Sequence, residues 1–199
     1  VIKKTSCLSL LAAIVASVAP AAADVGGRTA AAALEQAARP GVYDPAYVQL
    51  DYPMGDVPAG RGVCSDVVVR ALRAAGLDLQ ALVHEDMKAN FAVYPKRWGA
   101  MRPDRTIDHR RVPNLEVYFT RRGWRLPPSR VAADYRAGDI VAWNLKGDDG
   151  FLPHIGVVTD RIGRSGRPLI AHNIGAGPKA EDVLFDWPIT GRYRPQADQ

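Results

Sequence analysis

An α+β domain is predicted by three features of this 199-residue chain. Apolar residues recur every three and four positions in the N-terminal half, short β-branched runs follow in the C-terminal half, and no linker or internal repeat divides the two. Helices first and an antiparallel sheet after them give one core, with the N-terminal helices packed on a small sheet. An apolar fraction of 47% and a charged fraction of 24% suit a globular chain of this size, which can bury a full core without disulfide staples.

The first 23 residues read as a secretory signal peptide. Lys3 and Lys4 precede an apolar run from Leu8 to Val18, and Pro20-Ala21-Ala22-Ala23 supplies the small residues of a cleavage site before Asp24. A single domain is then expected over 24–199. The run is short for a bilayer span and is broken by Ser17 and Pro20, so no membrane span is expected after cleavage. Removing Lys3 and Lys4 lowers the formal charge from +5 to +3, and removing Cys7 leaves Cys64 as the sole thiol. A lone cysteine in an exported protein has no internal partner, so it is either buried or kept for its chemistry. The charge excess is mild and dispersed. Arginines between Arg102 and Arg125 enrich one segment, but without a nucleic-acid motif they read as a solvated face or as a draw for substrate carboxylates, and no nucleic-acid partner is expected.

The elements follow in order. Thr29 to Ala38 is an alanine-rich helix stopped by Pro40-Gly41. Tyr43 to Pro58, punctuated by proline and glycine, is an ordered loop that would wall any pocket at Cys64. Gly60-Arg61-Gly62-Val63-Cys64-Ser65-Asp66 then opens a helix whose stripe is positions 64, 67, 68, 71, 72 and 75, closed by Gly76. Asp78 caps a helix with Leu79, Leu82, Val83, Met87 and Phe91 inward, and Pro113 begins another with Leu115, Tyr118 and Phe119 inward. Asp139 to Leu145, His154 to Thr159, Leu169 to Ile174 and Ile189 to Arg194 read as strands.

Cys64 at a helix start sits where free N–H groups and the macrodipole favour a thiolate, so its pKa is expected to fall, with Asp66 opposing. Two of the four histidines lie on strands. If Val158 faces Pro168 across a hairpin, His154 faces His172, and directly opposed Cβ atoms lie about 4.5–5.5 Å apart. A register one residue different brings Asn173 there instead, and either residue can orient an imidazole. Cysteine hydrolysis needs a nucleophile, a base and an orienting group, which Cys64, His154 and His172 would supply.

Cys-Ser at a helix start, Gly-Asp-Ile-Val at 138–141, His-Ile-Gly-Val-Val at 154–158 and a strand with a second histidine resemble the NlpC-type papain-like cysteine peptidases of bacterial cell walls. More closely, Gly-Asp-Val-Pro at 55–58, Gly-Val-Cys-Ser-Asp-Val-Val at 62–68, Val-His-Glu-Asp-Met at 83–87, Ile-Asp-His-Arg-Arg-Val-Pro-Asn-Leu at 107–115 and His-Asn-Ile-Gly at 172–175 resemble the exported bacterial domain-of-unknown-function family 1287. The resemblance implies a papain-like, NlpC-type fold and a Cys-His-His triad cutting peptide or amide bonds of peptidoglycan or muropeptides. It also implies a periplasmic or secreted location, a monomer, and neither cofactor nor metal. Candidate substrate contacts are Tyr52, Asp56, Asp66, His109, Arg110 and Asn173. The family's usual Asp-Cys-Ser-Gly is Val63-Cys64-Ser65-Asp66 here, and about eight residues intervene before His154. Competing readings are a wall-binding module of the same fold without catalysis, and a metal hydrolase using His84, Asp86, Asp108 and His109. The latter lacks a diagnostic ligand spacing.

Overall fold

The computed structural model describes residues 24–197, so the expected signal peptide lies outside the described residues. Four helices are present among them: α1 (Val25–Ala37), α2 (Cys64–Ala74), α3 (Leu79–Asn90) and α4 (Val112–Arg121). Helix α1 starts four residues before the expected Thr29 because Asp24 caps it, accepting the Gly27 N–H at 2.9 Å, and so carries Gly26 and Gly27 into the first turn. Asp78 caps α3 as expected, and Pro113 occupies the first turn of α4.

Two strands flank the loop before α2: β1 (Val42–Tyr43) and β2 (Arg61–Gly62), paired in parallel. The main sheet contains β3 (Arg125–Leu126), β4 (Ile140–Asn144), β5 (Pro153–Ile162), β6 (Pro168–Ile174), β7 (Gly177–Glu181) and β8 (Ile189–Tyr193). Its order is β3-β8-β4-β5-β6-β7, and every pairing is antiparallel. Ile140, Ala142, Ile155, Val157 and Ala171 face the helices and join Val67, Val68, Leu72, Leu115 and Phe119 in the main core. Val141, Trp143, Val158 and Ile170 face the other way, under Tyr135 and Leu184. Burial of both faces explains why the strands read as unbroken apolar runs, without polar alternation.

The expected hairpin register is corrected by two residues. Val157 pairs with Ala171 and Val158 with Ile170, while Pro168 pairs with Ile162. A bulge between Val158 and Ile162 causes the shift: the Thr159 hydroxyl donates to Leu169 O and accepts the Arg161 N–H, and the chain turns over Gly163 to Arg167. Because side chains alternate with a period of two, a slip of two keeps both histidines on one face. Gly156 now lies in the position across from His172, with His154 diagonal to it.

Candidate active site

Cys64 is the first residue of α2 and is 5% exposed. Gly62 delivers the chain to it at φ 145°, and a Cβ there would stand 2.7 Å from Asp66 Oδ2. That oxygen accepts the Val63 N–H at 2.6 Å, so the turn into the helix is fixed by a carboxylate one turn inside it. Asp66 is in turn gripped by Arg110, whose Nε and Nη2 donate to its two oxygens at 2.8 and 3.0 Å. The two side chains of this ion pair are 2% and 4% exposed. Ser65 adds a second tie, its hydroxyl donating to Arg110 O at 2.6 Å.

Burial pushes the Cys64 thiol up to about 11, outweighing the N–H groups of Ile155, Ser65 and Cys64 that favour its anion; Asp66 raises it further. The lowered pKa expected from the helix start is therefore corrected. The resting group is a thiol. Its contact with the Ile155 N–H places the sulfur against β5 one residue beyond His154.

The imidazoles form a chain. His154 Nε2 lies 2.8 Å from His172 Nδ1, and His172 Nε2 lies 2.9 Å from Glu181 Oε2 on β7. Gly156 makes this diagonal contact feasible, since a Cβ there would sit 2.6 Å from Ile170 Cγ2 and 3.2 Å from His172 Cβ. Burial holds His172 below its usual range despite Glu181, and burial with the His172 ring drives His154 down to about 3. Burial alone would raise Glu181, but hydrogen bonds from His172 and Lys179 bring it below its usual value. An ionised Glu181 only accepts, so His172 carries its proton on Nε2 and presents bare Nδ1; His154 must then donate from Nε2, leaving its own Nδ1 bare as a base. That nitrogen makes no hydrogen bond among the described residues, and none joins the Cys64 sulfur to His154 in this state. Trp143 and Trp187 pack around the His154 ring, with centroids 5.9 and 6.0 Å away.

Asn173 points to the opposite face from His172, donating from Nδ2 to Gly62 O at 2.8 Å. It therefore holds the loop before the cysteine, and His172, not Asn173, lies within hydrogen-bond reach of His154. Of the other expected contacts, Arg110 lines the cavity at Cys64, but its guanidinium is taken up by Asp66 and by Ala46 O. His109 is buried, which drives it down to about 4, helped by the Arg110 charge; it does not line that cavity. Tyr52 and Asp56 lie elsewhere. Tyr52 donates to Glu85 at 2.9 Å, and Asp56 accepts from Arg70 at 2.7 Å, so both pin their loop to α2 and α3. Among the described residues no three metal-ligating side chains converge, so the alternative ligands His84, Asp86, Asp108 and His109 form no cluster.

The cavity at Cys64 has a volume of about 380 Å³, and its wall includes Tyr43, Tyr47, Trp98, Arg111 and Pro153. The sequence reading missed Glu181, because Gly175-Ala176-Gly177-Pro178 reads as a loop; a proline is accommodated in β7 because that strand is the sheet edge. It also missed Tyr43, whose phenol feels both its partial burial and Cys64, which together hold its ionisation back.

Comparison with known proteins adds the following. The family model described as Domain of unknown function (DUF1287) matches residues 30–195. Over 152 residues the chain is 62% identical to the uncharacterized protein YijF of Escherichia coli (strain K12), covering 76% of this chain and 73% of that one. Among solved structures, an N-acetylmuramoyl-L-alanine amidase from Bacteroides uniformis ATCC 8492 superimposes with a TM-score of 0.52 at 12% identity, over 85% of this chain and 98% of that one. NlpC1 from Trichomonas vaginalis gives 0.45 at 16% identity over 85% of this chain, which spans only 43% of that neighbour's length. The amidase likeness is one of fold, and the α+β, papain-like arrangement expected from the sequence is the one found.

Proposed function

Because the chain belongs to the family described as Domain of unknown function (DUF1287), and because Cys64 opens α2 with its sulfur against β5, the strand that carries His154 into a chain with His172 and Glu181, we propose that it is a cysteine hydrolase of peptide or amide bonds in peptidoglycan stem peptides, working in the periplasm or outside the cell. The observation that carries this is the His154–His172–Glu181 chain, which leaves His154 Nδ1 without a hydrogen bond on the residue just before Ile155, whose N–H the Cys64 sulfur contacts. In this reading His154 Nδ1 takes the thiol proton as the Cys64 sulfur bonds to the substrate carbonyl carbon. The imidazolium then returns the proton to the leaving nitrogen as the C–N bond breaks, and water, deprotonated by the same ring, cleaves the thioester. The Cys64 N–H and the Tyr43 hydroxyl are the donors assigned to the oxyanion; that hydroxyl has no hydrogen-bond partner among the described residues. No helix of the described residues is long and apolar enough to cross a membrane.

The test is digestion of purified muropeptides across a pH series, with new amines detected by mass spectrometry. A thiol near 11 and an imidazole near 3 leave the resting pair with one proton between those values. The cleavage rate is accordingly expected to be flat from about pH 5 to pH 9, falling only as His154 protonates at the acid end or Cys64 ionises at the alkaline end. A tenfold rise per pH unit through neutrality would mean a free thiolate is required, and the neutral-pair mechanism would be wrong.

Glu181→Gln probes the tautomer chain. An amide can donate to His172 Nε2, which would reverse both hydrogen bonds and put the His154 proton on Nδ1. A fall in kcat of about 10–100-fold with KM unchanged is expected, together with an Nδ1–H signal for His154 in ¹⁵N NMR. An unchanged tautomer and an unchanged kcat would remove Glu181 from the positioning role.

The reading as a wall-binding domain without catalysis is favoured by a single observation, the buried thiol with no bond to His154. Digestion that yields no amines from folded, reduced protein would remove the hydrolase reading and leave this one or an acyl-transfer enzyme for another amide.

A further inference from the structure

A second cavity, about 640 Å³ in volume, adjoins the one at Cys64; Tyr47, Trp98 and Arg111 line both. Three guanidinium groups border it, from Arg102, Arg105 and Arg111. Arg102 has no hydrogen bond or ion pair among the described residues. Arg105 lies over the Tyr52 ring, 5.5 Å from its centroid, without a carboxylate partner. Arg111 lies 5.1 Å over the Trp98 ring and 3.9 Å from Asp108. Of the two carboxylates in the same wall, Asp104 accepts from the Thr106 N–H and the Tyr47 hydroxyl, and Asp108, 2% exposed, accepts the Asp104 N–H and is the carboxylate nearest Arg111. Trp98 is 59% exposed and is held at φ 55°, ψ 32°, a left-handed conformation that a bulky residue avoids. It lines both cavities, with the Arg111 guanidinium over its ring.

We propose that this second cavity is the binding subsite for the free carboxylates of a short acidic peptide whose reacting amide lies at Cys64. Planar guanidinium groups match carboxylates in paired hydrogen bonds, and two of the three, Arg102 and Arg105, which have no acidic partner among the described residues, favour a ligand bearing more than one. A cavity of this volume takes several residues of an extended peptide. Arg102 and Arg105, not the buried His109 and Arg110, are the residues that meet the ligand. The inference rests on the hydrolase reading for the identity of the reacting bond, but the binding itself does not require catalysis.

The experiment uses the Cys64→Ala protein, which cannot turn substrate over, and isothermal titration with a muropeptide bearing free carboxyl groups and with the same muropeptide amidated. Amidation is expected to weaken binding at least tenfold, and Arg102→Gln with Arg105→Gln, both at exposed positions, to abolish that difference. Equal affinity for the two muropeptides, or a difference that survives the double substitution, would overturn the subsite. So would displacement of the muropeptide by an equal concentration of inorganic phosphate, which would mark a general anion site. A carboxylate preference in the Cys64→Ala protein, with no cleavage by the unsubstituted protein, would sink the hydrolase reading and leave the subsite standing. Cleavage with no such preference would do the reverse.

Discussion

Cys64→Ala is expected to reduce muropeptide cleavage by at least about a thousandfold, because the sulfur is the group that forms and breaks the bond to the substrate carbon. Stability should change little by comparison. The side chain is small and sits at the start of α2, at the edge of a core built from Val67, Val68 and Leu72, so its truncation should cost on the order of 1 kcal/mol. The pairing of a lost rate with a retained unfolding midpoint is the informative outcome. If the variant cleaves as fast as the unsubstituted protein, the nucleophile lies elsewhere and the His154–His172–Glu181 chain serves another end. Cys64→Ser is expected to be nearly as slow, since a hydroxyl is a poorer nucleophile than a thiol with the same imidazole as base.

Arg110→Met is expected to cost about 3–5 kcal/mol of folding stability, read as a fall in the urea midpoint at neutral pH. The reason is asymmetry. Arg110 donates twice to Asp66, and with both side chains nearly inaccessible the lost guanidinium leaves a carboxylate stranded away from water. Asp66 still accepts from Val63, but one backbone N–H does not balance a buried charge. The double variant Asp66→Leu with Arg110→Met should recover a large part of the loss, because neither charge then needs a partner. A single-variant loss under about 1 kcal/mol would show that water reaches the pair and that the helix start is braced by something else.

The sequence carried different parts of this structure unequally. The start of α2 was legible because two glycines, an acidic first turn and a stripe at positions 64, 67, 68, 71 and 72 all favour one boundary. That His154 and His172 share a face was legible from strand periodicity, whereas their register was not. The bulge after Val158 depends on a threonine hydroxyl bridging two backbone groups, which leaves no mark on the apolar pattern. Depth was the quantity least visible. A helix terminus argues for a thiolate at Cys64, and only the coordinates show that the core has closed over it. Depth also divides the arginine-rich segment: Arg110 is internal and structural, while Arg102 and Arg105 remain in solvent, although nothing in their local sequence distinguishes them.

Two adjacent residues of β6 hold the two halves of the site. His172 bonds to His154 and Glu181 on one side of the strand, and Asn173 bonds to Gly62, two residues before the cysteine, on the other. A local opening that frees this strand must release both sets of bonds at once, so the loop bearing the thiol and the imidazole chain belong to the same cooperative opening unit. Backbone amides around Gly62 and around His154 should thus share one protection free energy in native-state hydrogen exchange. The alignment of nucleophile and base then fails all together, with no partly assembled state in which a reactive sulfur is exposed without its proton acceptor.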